Sequence, residues 1–468
     1  MRYLLIGSLL SFSAVAQAAG TLGGCQLLPS DNIFNTPINA LPADPNSVAF
    51  VNTLGSDPGN RHIHLDMGMQ MDSTKEDYYG IPYNVTKGST ITWKVVNYKS
   101  KIVYDDAEHD SPAAYPDESE CANATSHAVI KEDCHSGDVL PFADTPLVEG
   151  GIATDSATVE DHDHHLLTVE TDSCTLWESW HVYKAGAQWD LLSSTFFDLS
   201  SNALRPEGLT SSDEAGFPIL PLLLRADEAS SGTIAHALRF TLDPDSTFAA
   251  HIWPARHGEG GKTDAASYPA IGQLYRIKSS YMIPASFNTQ SKAILQALKT
   301  YGMYLSDGGT NIFVQGEPSN QWQPDTFDEV QSVAYDEFEA VDITAITSRA
   351  GFDSNSGAVP GAVVTGGGGT AGSGGGGGTS TGSGTSAGTG SSSGAAGSTS
   401  PTTGGGSLPT GSGSTTGGSA TAGGTAATSA AKHGCSSSAP DTLLCAVASL
   451  LLSVRSKRQR AERDPKSA

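Results

Sequence analysis

Leu166-Leu-Thr-Val-Glu170 is followed at once by Thr175-Leu-Trp-Glu-Ser-Trp-His-Val-Tyr183, with Thr-Asp-Ser-Cys between them. Both runs are rich in β-branched and aromatic residues and are bounded by turn-forming ones, so they read as strands. Alternation in the second run puts Leu176, Glu178 and Trp180 on one face. The same signature recurs in Ser89–Tyr98, Ile234–Thr241 and Asn311–Gln315, with Gly, Pro, Asp and Asn clustered between runs. One clear helix is expected near Ser291–Tyr304, where Ile294, Leu298 and Tyr301 share a face. Shorter helices are expected at Ser211–Ala215 and Asp325–Val333. Many short strands with few helices predict a mainly β fold, a β-sandwich or jelly-roll-like domain, followed by a disordered stalk. No internal repeat is visible.

The ends of the chain differ sharply from this body. Arg2, the apolar stretch Leu4–Val15 and Ala16-Gln17-Ala18 have the order of a signal peptide, residues 1–18, with cleavage after Ala18. The folded β-rich domain is then expected over residues 19–350, with a loop-rich insertion at about 105–163. Residues 351–433 form a Gly/Ser/Thr-rich linker. Its stretch 361–431 carries no charge and no aromatic ring, so it cannot bury enough apolar surface to offset its ordering entropy. As a flexible coil it reaches on the order of 45 Å. Residues 434–468 hold Gly434-Cys435, the apolar run Thr442–Val454 and a cluster of Arg and Lys. That tail resembles bacterial protein-sorting signals in which a Cys motif precedes a short hydrophobic helix and basic residues. The resemblance implies processing near Gly434 and Cys435 and a membrane partner reached through the tail and its processing enzyme. A simple tail anchor is the alternative. The expected location is secreted or cell-surface, in the outer envelope of a Gram-negative bacterium.

The chain carries a formal charge of −24. Eight of its 26 Lys and Arg (Arg2 and seven from Lys432 on), but only three of its 50 acids, lie at the two ends. A body this acidic repels phosphate backbones, so nucleic acid is not an expected partner. Cys25, Cys121, Cys134 and Cys174 form an even set in an exported chain, which reads as two disulfides. Cys121 with Cys134 closes a short loop and leaves Cys25 with Cys174. No C-x-x-C spacing supports a zinc site.

Twelve of the 13 histidines fall between His62 and His257. In Arg61-His-Ile-His-Leu-Asp66, His62, His64 and Asp66 project from one strand face, a metal-competent set; a divalent metal is the one cofactor the sequence suggests. Glu160-Asp-His-Asp-His-His165 leads straight into a strand and puts His165 and Asp163 on one side; a solvated turn is an equal reading. His236 falls on the more apolar face of its strand, where a satisfied core histidine is as good a reading as a catalytic one, and Arg239 falls on the other. Trp253, Arg256 and His257 stand beside a Gly-rich loop. Among the many carboxylates, those next to aromatic strands or Gly pairs stand out: Glu108, Asp110, Glu149, Glu178 and Asp307. Glu178 among indoles would have a raised pKa, as a general acid needs; pairing with Arg205 or Arg239 is the competing reading.

No G-x-S-x-G elbow, P-loop, dinucleotide fingerprint, H-E-x-x-H helix or EF-hand loop occurs. Asp31-Asn-Ile-Phe-Asn35, Tyr79-Gly-Ile-Pro-Tyr83, Leu204-Arg-Pro206, Gly216-Phe-Pro-Ile-Leu-Pro221, His236-Ala-Leu-Arg-Phe-Thr241, Trp253-Pro-Ala-Arg-His257 and Leu298-Lys-Thr-Tyr-Gly-Met303 resemble a family of secreted bacterial proteins. The likeness spans about 25–340, which implies one domain and no particular activity. The expected function is a surface-displayed enzyme acting on an extracellular glycan. In a hydrolase Glu178 and Glu149 would be the carboxyl pair; in a polysaccharide lyase His165 or His236 would take the proton and Arg239 would neutralise the uronate, with His257 a further candidate on the ligand-facing rim. Trp177, Trp180, Trp253 and Trp322 would bind sugar rings. A non-catalytic carbohydrate-binding or adhesive module, and a metal-dependent enzyme, are the alternatives.

Overall fold

A computed structural model describes residues 20–75, 78–99, 115–154 and 163–362. The expected signal peptide, the linker beyond 362, Gly434, Cys435 and the rest of the tail lie outside the described residues, as do Glu108, Asp110 and His162.

The fold is mainly β, and its centre is the pair of runs read first. Leu166–Glu170 and Thr175–Trp180 pair antiparallel, with Leu176 opposite Val169 and Glu178 opposite Leu167. Ser193–Asp198 adds antiparallel to the outer side, and Tyr83–Thr86 adds parallel to Leu166–Glu170. This middle sheet is apolar on both faces because each face has a core of its own. Leu167, Val169 and Leu176 join one cluster, whereas Leu166 and Trp177 join the other. Period-2 alternation thus serves two cores instead of a core and solvent.

On one side lies a six-stranded sheet in the order Phe338–Ala340, Leu274–Ile277, Met303–Gly308, Leu238–Leu242, Phe313–Gln315 and His64–Asp66. The helix Thr289–Thr300 opens on an Asn288 cap, whose side chain accepts the Ser291 N–H, and carries Lys299 in its last turn. Both features stabilise helix ends. It packs on Leu274–Ile277, and the helix Pro324–Gln331 packs on His64–Asp66. The helix expected to run on to Tyr304 stops at Thr300 because Gly302, at φ 78°, turns the chain into Met303–Gly308. On the other side of the middle sheet a second six-stranded sheet runs Tyr183–Ala185, Gln188–Leu191, Lys94–Tyr98, Val139–Leu140, Cys121–Ala122 and Val129–Ile130. Residues 115–154, expected as loop, therefore supply strands and the core residues Val139, Leu140, Phe142 and Val148.

Two further expectations need correcting. Ser211–Ala215 is a turn rather than a helix, because the Ser211 hydroxyl bonds the Asp213 and Phe217 carbonyls and competes with helical bonding. The fold also continues past residue 350: Ser356 and Ala358 bridge to Ala203 and Asn32, and Val359 is 4% exposed. The disulfides pair as expected, Cys25 with Cys174 and Cys121 with Cys134. No helix among the described residues is long and apolar enough to cross a membrane.

Cys25–Cys174 spans 149 residues and Cys121–Cys134 spans 13. Loop-closure entropy assigns them about 5 and about 3 kcal/mol respectively. Replacing both cysteines of the long bridge by alanine should therefore lower stability more than replacing those of the short one. Urea unfolding of the two double variants checks the order, and the reverse order would mean that the short bridge is supporting native packing.

Candidate functional site

Strand alternation builds one wall of the site. Leu65, Phe240, Leu305 and Val314 are buried at 0% exposure, so their neighbours Asp66, Arg239 and Gln315 project from the opposite face. Register sets Gln315 beside Asp66 and Phe313 beside His64, and a bulge brings Asp307 beside Thr241. In the middle of this face the Arg239 guanidinium is fully buried. Its Nε and Nη2 donate to Asp213 Oδ2, its Nη1 donates to Gln315 Oε1, and its Nη2 lies 3.4 Å from Asp307 Oδ2. Every face of the planar fork is taken by an acceptor, the arrangement that makes a buried arginine tolerable.

The turn Ser211–Gly216 supplies that Asp213 and, next to it, a further carboxyl, Glu214. Asp213 Oδ1 accepts the Ala215 N–H, which fixes its other oxygen on Arg239. Glu214 accepts N–H bonds from Glu259 at 2.6 Å and from Gly308 at 2.9 Å. Gly308 N–H also points to Asp307 Oδ1, at 2.9 Å, so Glu214 and Asp307 share a single donor and lie side by side. Burial, then the Asp307 charge, pushes Glu214 up to about 8. Burial, then Asp213, pushes Asp307 up to about 7 against the pull of Arg239. Side-by-side carboxyls cannot both ionise cheaply, so the pair holds a proton near neutrality. Asp307 still has 31% of its side chain exposed, and this keeps the pair open to solvent.

The facing wall comes from the start of the strand Leu166–Glu170. His165 Nδ1 lies 2.6 Å from Glu149 Oε2 and its Nε2 2.9 Å from the Ser212 carbonyl. Burial opposes charge on this ring, but the adjoining Glu149 carboxylate prevails and lifts its pKa to about 9. Asp163, exposed, accepts the Trp180 indole N–H at 3.2 Å. Through His165 Nε2 this wall bonds the carbonyl of Ser212, the residue before Asp213, so the two walls meet at the Ser211–Gly216 turn. His164 and His181 take positive φ, 48° and 56°, a strain of order 1 kcal/mol or more each. Backbone bonds from His181 N to Asp163 O and from Val182 N to His164 O hold them there. Burial, then His164 and His165, lowers His181 to about 4.

The residues singled out from sequence divide into those at or beside the site and those away from it. Glu149, His165, Arg239 and Trp180 converge here, Asp66 and His64 flank them on the sheet face, and His257 touches the rim, its Nδ1 3.2 Å from the Glu214 carbonyl. Glu178 stands behind the site with no exposed surface. Burial, opposed by the Ile219 and Leu220 N–H groups bonded to its two oxygens, raises it to about 7. That position fits an internal strut and gives it no route to a substrate. His236 is a satisfied core histidine, 2.9 Å from Glu228 and 2.8 Å from the Ala237 carbonyl. Trp177 and Trp322 are buried at 1% and 4%; Trp253 packs on Phe352 and donates to the Ser356 carbonyl.

The metal expectation moves as well. His62, His64 and Asp66 are not among the donor clusters found in the described residues, and the His64 ring lies on Phe313 at 4.0 Å. Among the described residues, Glu149, Asp163 and His165 each offer a donor atom within 4.8 Å of the others. Cys121, Cys134 and Asp138 also cluster, but the disulfide leaves no thiolate to bind. Sequence reading missed Asp213 and Glu214. Their signal was two adjacent acids, preceded by Ser-Ser and followed by the apolar run Phe217–Leu224.

Glu178, Glu214 and Asp307 are all raised on folding, so the folded chain binds more protons than the unfolded one above their ordinary values. The stability they contribute is complete below those values and is lost as pH rises through about 7 to 8. His165 adds a loss as pH rises from its ordinary value through about 9, whereas lowered His181 contributes only a gain between about 4 and its ordinary value. The urea midpoint should fall from pH 6 to pH 9, with a shallower fall in Glu214→Gln; a flat wild-type profile would mean that these groups titrate as if exposed. Comparison with protein-family models, with curated proteins and with solved structures finds no match to this chain.

Proposed function

We propose that the domain is an exported glycoside hydrolase acting on an extracellular polysaccharide that is not strongly anionic. The observation that carries this reading is the Glu214–Asp307 pair, side by side on the Gly308 N–H with 31% of the Asp307 side chain exposed, which keeps a proton near neutral pH. Hydrolysis of a glycosidic bond needs a proton donor for the leaving oxygen and a second carboxylate for water or for the anomeric carbon. The protonated member of the pair is the donor, and Asp163 is the second carboxylate, oriented by Trp180. The half-buried Trp180 ring next to it offers an apolar face for a sugar.

Two rival readings are weaker for stated reasons. A lyase acting on uronates needs a free cation to neutralise the substrate carboxylate, and Arg239 is fully engaged with Asp213 and Gln315. The acidic surroundings would also repel such a substrate. A non-catalytic binding module needs an exposed aromatic platform, and Trp177 and Trp322 are in the core. Export agrees with two disulfides, which persist in oxidising compartments. We place the mature N-terminus at Ala19 and the enzyme at the cell surface, held there through the Gly434-Cys435 tail.

A panel of neutral and amino-sugar polysaccharides, followed by new reducing ends and by absorbance of unsaturated products, tests the proposal. New reducing ends without unsaturation are expected. Glu214→Gln and Asp163→Asn should each lower kcat by about 100-fold or more with the fold retained. The wild-type rate should fall above about pH 8, where Glu214 loses its proton. Unsaturated products would replace hydrolysis with elimination, and full activity in Glu214→Gln would remove the assigned donor.

A further inference from the structure

We infer that Glu149, Asp163 and His165 form a binding site for one divalent transition-metal ion, of the Mn2+ or Zn2+ type, at the edge of the carboxyl site. One donor atom from each lies within 4.8 Å of the others. Ligands of one such ion sit at roughly 2.0 to 2.2 Å from it, so their donor atoms lie up to about 4.4 Å apart. A small side-chain adjustment brings the three into range.

The groups behind these ligands point the same way. A metal-binding histidine ordinarily donates its second ring N–H to a carbonyl or carboxylate, which fixes the tautomer and aims the other lone pair. His165 Nε2 is 2.9 Å from the Ser212 carbonyl, and its Nδ1 faces Glu149 Oε2 at 2.6 Å. The Asp163 carboxylate is held by the Trp180 indole at 3.2 Å, and Glu149 Oε2 also receives the His165 backbone N–H at 3.2 Å. His165 and Asp163 thus each have an orienting partner outside the cluster, Ser212 and Trp180, that a purely solvated cluster would not need. Ser212, 6% exposed, has a hydroxyl with no hydrogen-bond partner. The ion takes the place of the proton between His165 Nδ1 and Glu149, so the Ser212 contact is preserved.

One imidazole and two carboxylates with room for further ligands suit Mn2+ or Zn2+ better than Ca2+, which prefers an all-oxygen shell. The exposed Asp163 gives the ion a path in from solvent. This inference concerns binding alone; it shares Asp163 with the hydrolase reading, and the Glu214→Gln variant tells the two apart.

The full chain, stripped with a chelator and dialysed, is titrated calorimetrically with Mn2+, Zn2+ and Ca2+ in separate runs. Saturable uptake of one equivalent of Mn2+ or Zn2+ is expected, with Ca2+ weaker. Asp163→Asn and His165→Gln should each weaken it by at least about tenfold. Trp180→Phe, which removes the orienting N–H and keeps an aromatic ring, should weaken it by about tenfold as well. Asp163 is exposed, so its variant keeps the test decisive if His165→Gln does not fold. Glu214→Gln should bind metal normally, and this separates the metal site from the proposed proton donor. Absence of saturable uptake, uptake unchanged in Asp163→Asn, or Ca2+ binding as tight as Mn2+ and indifferent to His165→Gln would overturn the inference.

Discussion

The buried guanidinium of Arg239 is the constraint around which the rest of the site is arranged. Removing a full charge from water costs several kcal/mol even after relaxation, and only close, well-oriented acceptors recover it. Here the acceptors come from three separate pieces of chain: Asp213 in the turn, Gln315 in the neighbouring strand and Asp307 at the end of another. Satisfying the arginine therefore fixes where the Ser211–Gly216 turn sits on the sheet. That turn in turn delivers Glu214 to Gly308, and the carboxyl pair exists because the arginine needed its neighbours.

Carboxylates in excess of local cations must be handled somehow in a half-buried place. Glu178 meets the problem with two backbone N–H donors at a turn, Glu149 with the His165 ring, and Glu214 with Asp307 by retaining a proton. Only the last solution leaves an exchangeable proton in reach of solvent, which is why the chemistry is assigned there. Charge count alone would have treated all of these acids alike.

The sequence showed most of the skeleton. Leu166–Glu170 was legible to the residue because β-branched and apolar side chains filled its first four positions, and an even cysteine count with one short spacing gave the disulfides. Alternation also placed Leu176, Glu178 and Trp180 on one face. It carried no information on what covers that face: the segment Phe217–Leu224 packs over Glu178, while Trp180, further along, stays half-exposed. For the same reason indoles could not be sorted into platform and core, and Trp177 went to the second core because the middle sheet is covered on both sides. Asp213 and Glu214 escaped notice because their role depends on Arg239 and Gly308, distant in sequence and brought near only by the crossing of Leu238–Leu242 beside Met303–Gly308.

The histidine cluster shows how local distortion converts composition into geometry. A regular strand through Asp163, His164 and His165 would alternate Asp163 and His165 to one side and His164 to the other. The left-handed turns at His164 and His181 keep that division while bending the strand end. As a result His164 packs on Tyr183, 4.8 Å between rings, and His165 turns toward Ser212. Backbone strain of this kind survives only where surrounding bonds over-determine it, and the paired bonds between residues 163–164 and 181–182 do so. The ladder that places the middle sheet's strands thus also sets the direction of the Asp163 carboxylate, and the site's two walls are held by the same hydrogen bonds as the fold.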